Sequence, residues 1–428
     1  MSSKLALLGG NPIRTKRYPY NITTGEKEKQ AVIKVLQRGL LSGFEGTDNE
    51  YFLGGRQVKL LEKEWTEKFR VKYAVSFNSA SSALYAAIGA CKIGPGDEVV
   101  VTPFTMSATA TAILIYNAIP VFSDIELEYY NLDPEILEAK ITPQTKAIFV
   151  THIFGHPAGM DPIMELAKKH SLKVIEDAAQ SPGALYQERL TGTIGDIGVF
   201  SLNSNKMIQC GEGGIAVTND ESLAEKLRLI RNHAEAVIAS GRKVSSLVNM
   251  LGWNYRMNEI EAAIAREQLE KLDLLTELRL KLVNYLNDRL KDIKGISIPE
   301  ARENSTRVYY RYVLKVDLKK INIKAPLFVK ALNAEGMDFY VSYMKPLYLQ
   351  PLYQKQIGYG DKGCPFKCPF YKGKADYSKG ICPNAELLED ILISTEIVRP
   401  PQTTKDMDEI VIAIKKVIDN KEKLLSRN

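Results

Sequence analysis

The chain has 428 residues, too many for one small core, so a large domain with a smaller one is expected. Its 45% hydrophobic and 25% charged residues are the proportions of a soluble globular protein and exclude a disordered or fibrous one. The 57 basic and 51 acidic residues leave a formal charge of +6 with no basic stripe, and no apolar run is long enough for a bilayer, so neither nucleic acid nor membrane is an expected partner.

The opening stretch Leu5-Ala6-Leu7-Leu8-Gly9-Gly10 breaks at its glycines after a few apolar residues, and no secretory signal is read there. From about residue 71 to 219, short β-branched runs predict strands at 73–77, 98–102, 119–122, 147–151, 173–176, 198–201 and 214–217. Apolar residues at helical spacing fill 82–91, 107–116 and 162–170 between them. Strands alternating with helices predict an α/β fold whose sheet is mostly parallel and covered on both faces. After residue 254 the period becomes helical over 259–272 and 275–293, then strand-like at 308–316, with further helices at 326–335 and 405–421. This predicts a large domain over 1–272 and a smaller C-terminal α+β domain over 273–428. The Lys-rich tail from Lys415-Lys416 to Lys423 reads as a solvated helix face.

The chemistry is concentrated in two short stretches. Val174-Ile175-Glu176-Asp177-Ala178-Ala179-Gln180 ends an apolar run on an acid. Twenty-five residues beyond its end, not counting the lysine, Lys206 sits in a polar turn, Ser201-Leu202-Asn203-Ser204-Asn205-Lys206, before Gly211-Glu212-Gly213-Gly214. A lysine that can form a Schiff base, with an aspartate able to keep a pyridine nitrogen protonated, is the layout that pyridoxal 5'-phosphate (PLP) chemistry needs. Upstream, Asn78-Ser79-Ala80-Ser81-Ser82 follows a predicted strand and opens a helix. Free N–H groups there can receive a phosphate; the other reading is a serine N-cap.

In this order the motifs resemble the sugar aminotransferases of the DegT/DnrJ/EryC1/StrS family, over nearly the whole chain. The resemblance implies a fold-type I PLP-dependent transferase. Lys206 would carry the cofactor and then shuttle protons as a general base, with Asp177 on the ring nitrogen and Gln180 on the ring hydroxyl. Ala80 and Ser81 would match the phosphate ligands, Ala80 standing where the family has glycine, and Ser201 a further serine on the phosphate. Met106 stands where the family usually stacks an aromatic residue on the ring. Asn254, in Leu251-Gly252-Trp253-Asn254-Tyr255-Arg256, would reach the phosphate of the neighbouring subunit and make a homodimer with shared active sites; the alternative is a helix cap. Ser42 lies in a stretch resembling a loop at the substrate entrance, and His152, Tyr309 and Tyr348 are candidates for the sugar side. Glu212 lines the site or stabilises its turn.

The implied reaction converts a keto group on a sugar or nucleotide-linked sugar to an amine, with glutamate or glutamine as donor. The opening Leu5 to Arg14 resembles the branch containing glutamine:scyllo-inosose aminotransferases, so a keto-cyclitol is the alternative acceptor. A PLP-dependent dehydratase or lyase is a further alternative, but relatives that dehydrate sugars place histidine where Lys206 stands. Five cysteines, an odd number, argue against a disulfide framework and for a cytoplasmic location. Cys364, Cys368 and Cys382 each precede proline, yet no fourth ligand has suitable spacing, so no metal is expected and a lid over the substrate is the preferred reading.

Overall fold

The computed structural model describes residues 4–298 and 300–426. In chain order the first strands are β1 (Tyr73–Phe77), β2 (Glu98–Val101), β3 (Ile119–Phe122), β4 (Thr145–Thr151) and β5 (Lys173–Asp177). A separate hairpin of β6 (Leu185–Tyr186) and β7 (Arg189–Leu190) follows, then β8 (Ile197–Ser201) and β9 (Gly214–Thr218). Seven of these form one sheet in the order β3-β2-β4-β5-β8-β9-β1. Every pairing from β3 to β8 is parallel, and β9 runs against both of its neighbours. The seven strands predicted between residues 71 and 219 thus lie within two residues of the observed ones. Helices Ala80–Ala90, Ser107–Ile115 and Met160–Lys169 follow β1, β2 and β4, as parallel pairing requires of its crossovers. Burial on both faces explains the Val99-Val100-Val101 run of β2, whose four residues, Glu98 included, are all buried.

Four short strands make a second, antiparallel sheet: β10 (Ile296–Ser297), β11 (Tyr312–Val316), β12 (Tyr340–Val341) and β13 (Leu392–Thr395), in the order β10-β11-β13-β12. Their core is shared with helices Leu272–Leu290, Ala325–Ala334 and Thr404–Asp419.

Two segments pack across the expected boundary at residue 272. The N-terminal arm joins the C-terminal core: Leu5 is buried there, and Ala6 N–H donates to Glu335 Oε1 at 2.8 Å. Arg14 pairs with Asp406 and Glu409. Lys416, expected on a solvated face, is instead buried; its Nζ lies 2.7 Å from Glu335 Oε2 and 2.9 Å from Asn11 O. A buried ammonium needs such partners, and the arm supplies one. In the other direction, Tyr348, Tyr353 and Tyr377 pack around Phe122 of the edge strand β3, with Phe366 against Tyr353 and Tyr377. Chain continuity therefore does not divide the two cores; apolar surface does.

Candidate active site

Ligands of open α/β sheets bind beyond the C-terminal ends of the parallel strands. Asp177 ends β5 and Ser201 ends β8, while Asn78 to Ser81 follow the end of β1, antiparallel to β9.

At the last of these, Ser79 is an N-cap whose Oγ accepts from Ser82 N–H at 3.1 Å, and Ser82 Oγ donates to Asn78 Oδ1 at 2.7 Å. The serine-cap reading therefore holds for Ser79. The N–H groups of Ala80 and Ser81, in the first turn, have no intrahelical acceptor and are free for an anion at the positive end of the helix. Alanine is accommodated because residue 80 has ordinary right-handed helical backbone. The glycine demand falls on Gly214 instead: a Cβ there would lie 2.5 Å from Ala80 N and 2.6 Å from Ala80 Cα.

Asp177 is buried. Its Oδ2 accepts from Thr109 Oγ1 at 2.7 Å and its Oδ1 from Ala179 N–H at 3.1 Å, which leaves lone pairs of the carboxylate unused. Gln180 Oε1 accepts from Phe154 N–H at 2.7 Å, so its Nε2 points the other way and donates to Tyr343 Oη at 3.3 Å. Tyr343 also packs edge-on against Phe104 and Phe154, and burial pushes its hydroxyl well above the usual tyrosine range. No motif singled it out.

Strands β8 and β9 are joined by the lysine turn. Leu202 N–H donates to Gly213 O, Cys210 N–H to Leu202 O, Ser204 N–H to Gly211 O and Lys206 N–H to Asn203 O, all at 2.9 Å. Asn203 Nδ2 donates to Glu212 Oε1 at 2.9 Å, so Glu212 stabilises the turn. Ser201 Oγ accepts from Asn203 N–H at 3.3 Å. Lys206 is half-buried, and among the described residues no carboxylate lies within ion-pair distance of it. Its Nζ stands 4.4 Å from the ring centroid of Tyr310.

Tyr310 thus faces the lysine, whereas Tyr309, a candidate for the sugar side, points elsewhere. The chain turns through left-handed backbone at Tyr309 (φ 52°), and Arg279 Nη1 holds the turn by donating to Tyr309 O at 2.8 Å and Tyr310 O at 3.1 Å. The Tyr309 ring lies instead against Arg307 and Tyr312. Two further expectations for the sugar side are corrected. His152 is wholly buried: Nδ1 accepts from Ala158 N–H at 3.1 Å, so Nε2 carries the proton and donates to Glu176 Oε2 at 2.8 Å. Neither nitrogen is left for a substrate. Tyr348 is wholly buried beside Phe122, and its hydroxyl donates to Glu386.

Met106 is the N-cap of helix Ser107–Ile115; its sulfur accepts from Ala108 N–H at 3.1 Å and the side chain is half-exposed. Ser42 is exposed, next to Leu41, whose carbonyl accepts from Glu259 N–H at 2.9 Å. Asn254 is exposed and its carboxamide has no partner among the described residues. The cap considered for it belongs to Asn258, which forms a capping box with Glu261.

The cysteine-bearing segment does not lie over these strand ends. Tyr371 Oη donates to Glu98 Oε1 at 2.7 Å and Tyr377 Oη to Pro120 O at 3.0 Å, near the N-terminal ends of β2 and β3. The expected lid is instead a cover for the sheet's edge strand. Among the described residues no three His, Cys, Asp or Glu side chains are grouped to hold a metal, and no helix is long and apolar enough to cross a membrane.

A lysine amine without a carboxylate partner among the described residues, a strand-end carboxylate with spare acceptor capacity and a helix start with free N–H groups suit an aldehyde cofactor that carries a phosphate and a basic ring nitrogen. Fold and strand ends together define a fold-type I, PLP-dependent transferase. The chain belongs to the DegT/DnrJ/EryC1/StrS aminotransferase family, which matches residues 26–372. It is 36% identical to GDP-perosamine synthase of Caulobacter vibrioides over 70% of this chain and 79% of that one. It is 29% identical to L-glutamine:scyllo-inosose aminotransferase of Streptomyces griseus over 98% of this chain and 99% of that one. The solved structure of an aminotransferase from Psychrobacter cryohalolentis superposes with a TM-score of 0.81 at 29% identity, covering 95% of this chain and all (100%) of that chain.

Proposed function

We propose that this aminotransferase delivers the amino group of glutamate or glutamine to a keto group of a nucleotide-linked sugar. The observation that carries the reading is the Lys206 amine beside the Tyr310 ring without an acid partner. The bound cofactor supplies an electron sink that makes the donor's Cα–H acidic. Lys206 would hold the cofactor aldehyde and, with its amine free, would serve as the general base that moves the donor's Cα proton. Asp177 holds the ring nitrogen protonated through the acceptor capacity that Thr109 and Ala179 leave open. Gln180, whose Nε2 donates to Tyr343 Oη, would bind the ring hydroxyl. The N–H groups of Ala80 and Ser81, with Ser201, bind the phosphate. Met106, half-exposed with its sulfur capping the Ala108 N–H, would lie against the ring, and Ser42 would border the entrance.

The nearly end-to-end match to the inosose enzyme supports a keto-cyclitol as the alternative acceptor. One experiment separates the two. The enzyme is first amino-loaded with glutamate or glutamine and freed of donor. It is then offered keto-sugar nucleotides and scyllo-inosose in parallel, and the aminated product is identified by mass. Amination of neither, or deoxygenation without amino transfer, overturns the reading.

We further infer a homodimer in which Asn254 completes the partner's phosphate site. Support comes from the idle carboxamide and from the apolar side chains around it: Leu247 and Leu251 are 68% and 69% exposed, and Trp253 is 45% exposed. Mixing Lys206→Ala with Asn254→Ala chains would give heterodimers with one intact site, so activity should partly return. No recovery under subunit exchange, or full activity as a monomer, removes Asn254 from the site.

A further inference from the structure

Behind Asp177 stands a short chain of hydroxyls that the proposed roles leave unused. Thr109 Oγ1 is 2.7 Å from Asp177 Oδ2, and Thr105 Oγ1 is 3.2 Å from Thr109 Oγ1. Both threonines are wholly buried. Proton counting gives the chain a direction. A carboxylate only accepts, so the single proton of Thr109 is committed to Asp177, and the contact between the threonines uses the proton of Thr105.

The scaffold sets where these hydroxyls stand. Thr109 is in the first turn of helix Ser107–Ile115, its N–H donating to Met106 O at 3.2 Å. A β-branched side chain in a helix has few χ1 choices, so the helix start fixes the hydroxyl position. The carboxylate is then gripped at both oxygens, by Thr109 on one and by Ala179 N–H on the other. A hydrogen bond to the charged form also lowers its basicity.

We propose that Thr109, oriented by Thr105, is a positioning residue for the cofactor: it fixes the plane of the Asp177 carboxylate and tempers its charge, so that the ring nitrogen meets an acceptor of set direction and strength. The proposal rests on the reading of Asp177 as the partner of that nitrogen. Thr109 touches neither substrate nor reacting atom; it acts through Asp177.

The test uses Thr109→Val, which keeps the shape and removes the hydroxyl, with Thr109→Ser, Thr105→Val and Asp177→Asn as companions. Four quantities are read on the full chain: kcat, the KM for the amino donor, the pH midpoint of the bound cofactor's absorbance, and the Kd of PLP for the apoprotein. Thr109→Val should lower kcat roughly tenfold, as the loss of one hydrogen bond to a charged group implies, with donor KM little changed. It should also displace the absorbance midpoint. Thr109→Ser should restore both, and Thr105→Val should move both in the same direction by less. Added to Asp177→Asn, Thr109→Val should cost nothing further. A native midpoint and kcat in Thr109→Val overturn the proposal, as does a loss confined to thermal stability. If Thr109→Val does not fold, a native midpoint in Thr105→Val together with no rescue pattern in Thr109→Ser overturns it equally. A native midpoint in Asp177→Asn would mean that the reading of Asp177 fails, which is a separate result.

Discussion

Glu176 and Asp177 are neighbouring acids on one strand, and the sheet sends them to opposite faces. Glu176 is saturated: its oxygens accept from Gly192 N–H at 2.8 Å, Ile194 N–H at 2.7 Å, Gly195 N–H at 2.5 Å and His152 Nε2 at 2.8 Å. Asp177 accepts from one hydroxyl and one N–H and retains capacity. The difference separates a carboxylate that builds the fold from one that waits for a ligand. Spare hydrogen-bonding capacity in a buried acid, rather than burial itself, marks the functional face.

Each of the following outcomes would break or sharpen that contrast. The largest effect belongs to Lys206→Ala, on the ligand side of the sheet. It should abolish turnover and leave a folded protein that binds PLP non-covalently. Borohydride reduction of the native enzyme should fix the cofactor to the peptide carrying Lys206, and label on another lysine would refute the assignment.

Next comes Asp177→Asn, which replaces a charge-assisted contact to the ring nitrogen with a neutral one. The single-turnover rate should fall by about one to several orders of magnitude while the melting temperature stays near native. A rate near native would place Asp177 with Glu176 among the structural acids.

Glu176→Gln should show the reverse pattern. The new amide would point N–H groups at backbone donors or at His152, costing about 3 kcal/mol of stability. Denaturant titration reads the loss, and the activity of the protein that remains folded should change far less. A stable Glu176→Gln variant with impaired chemistry would invert the comparison.

The smallest effect lies at Glu28, a third buried acid, which ties its helix to Glu259–Glu270. Burial opposes its ionisation, but hydrogen bonds from Lys271, Gln268 and the Gly25 N–H outweigh it and hold the carboxyl at about 2. The unfolded value is about 4.3. Since the folded value is the lower one, its contribution is fully present above the unfolded value and is lost as pH falls from there toward about 2. Stability measured across that window should decline less steeply in Glu28→Gln than in the native chain; identical slopes would count against this role.

Periodicity and composition by themselves determined the α/β sheet, because parallel strands buried on both faces must be short, apolar and separated by amphipathic helices. The strands at Tyr73–Phe77 and Ile119–Phe122 were legible to the residue. The short strands β10 and β12 were not, since two residues carry no period. Motif order also placed Asp177 at a strand end and Lys206 in the polar turn after the next strand of the sheet. What surrounds them was decided only in three dimensions. Thr109 is 68 residues from Asp177 along the chain and Tyr343 is 163 from Gln180, separations that leave no local pattern. A one-residue matter, Tyr310 rather than Tyr309 beside the lysine, turned on left-handed backbone held by a distant arginine. His152 and Tyr348 carry side chains fit for a sugar site, but their polar atoms are consumed inside the protein. Sequence order reveals which groups a chain possesses; whether a group has capacity left for a ligand depends on partners that only folding brings to it.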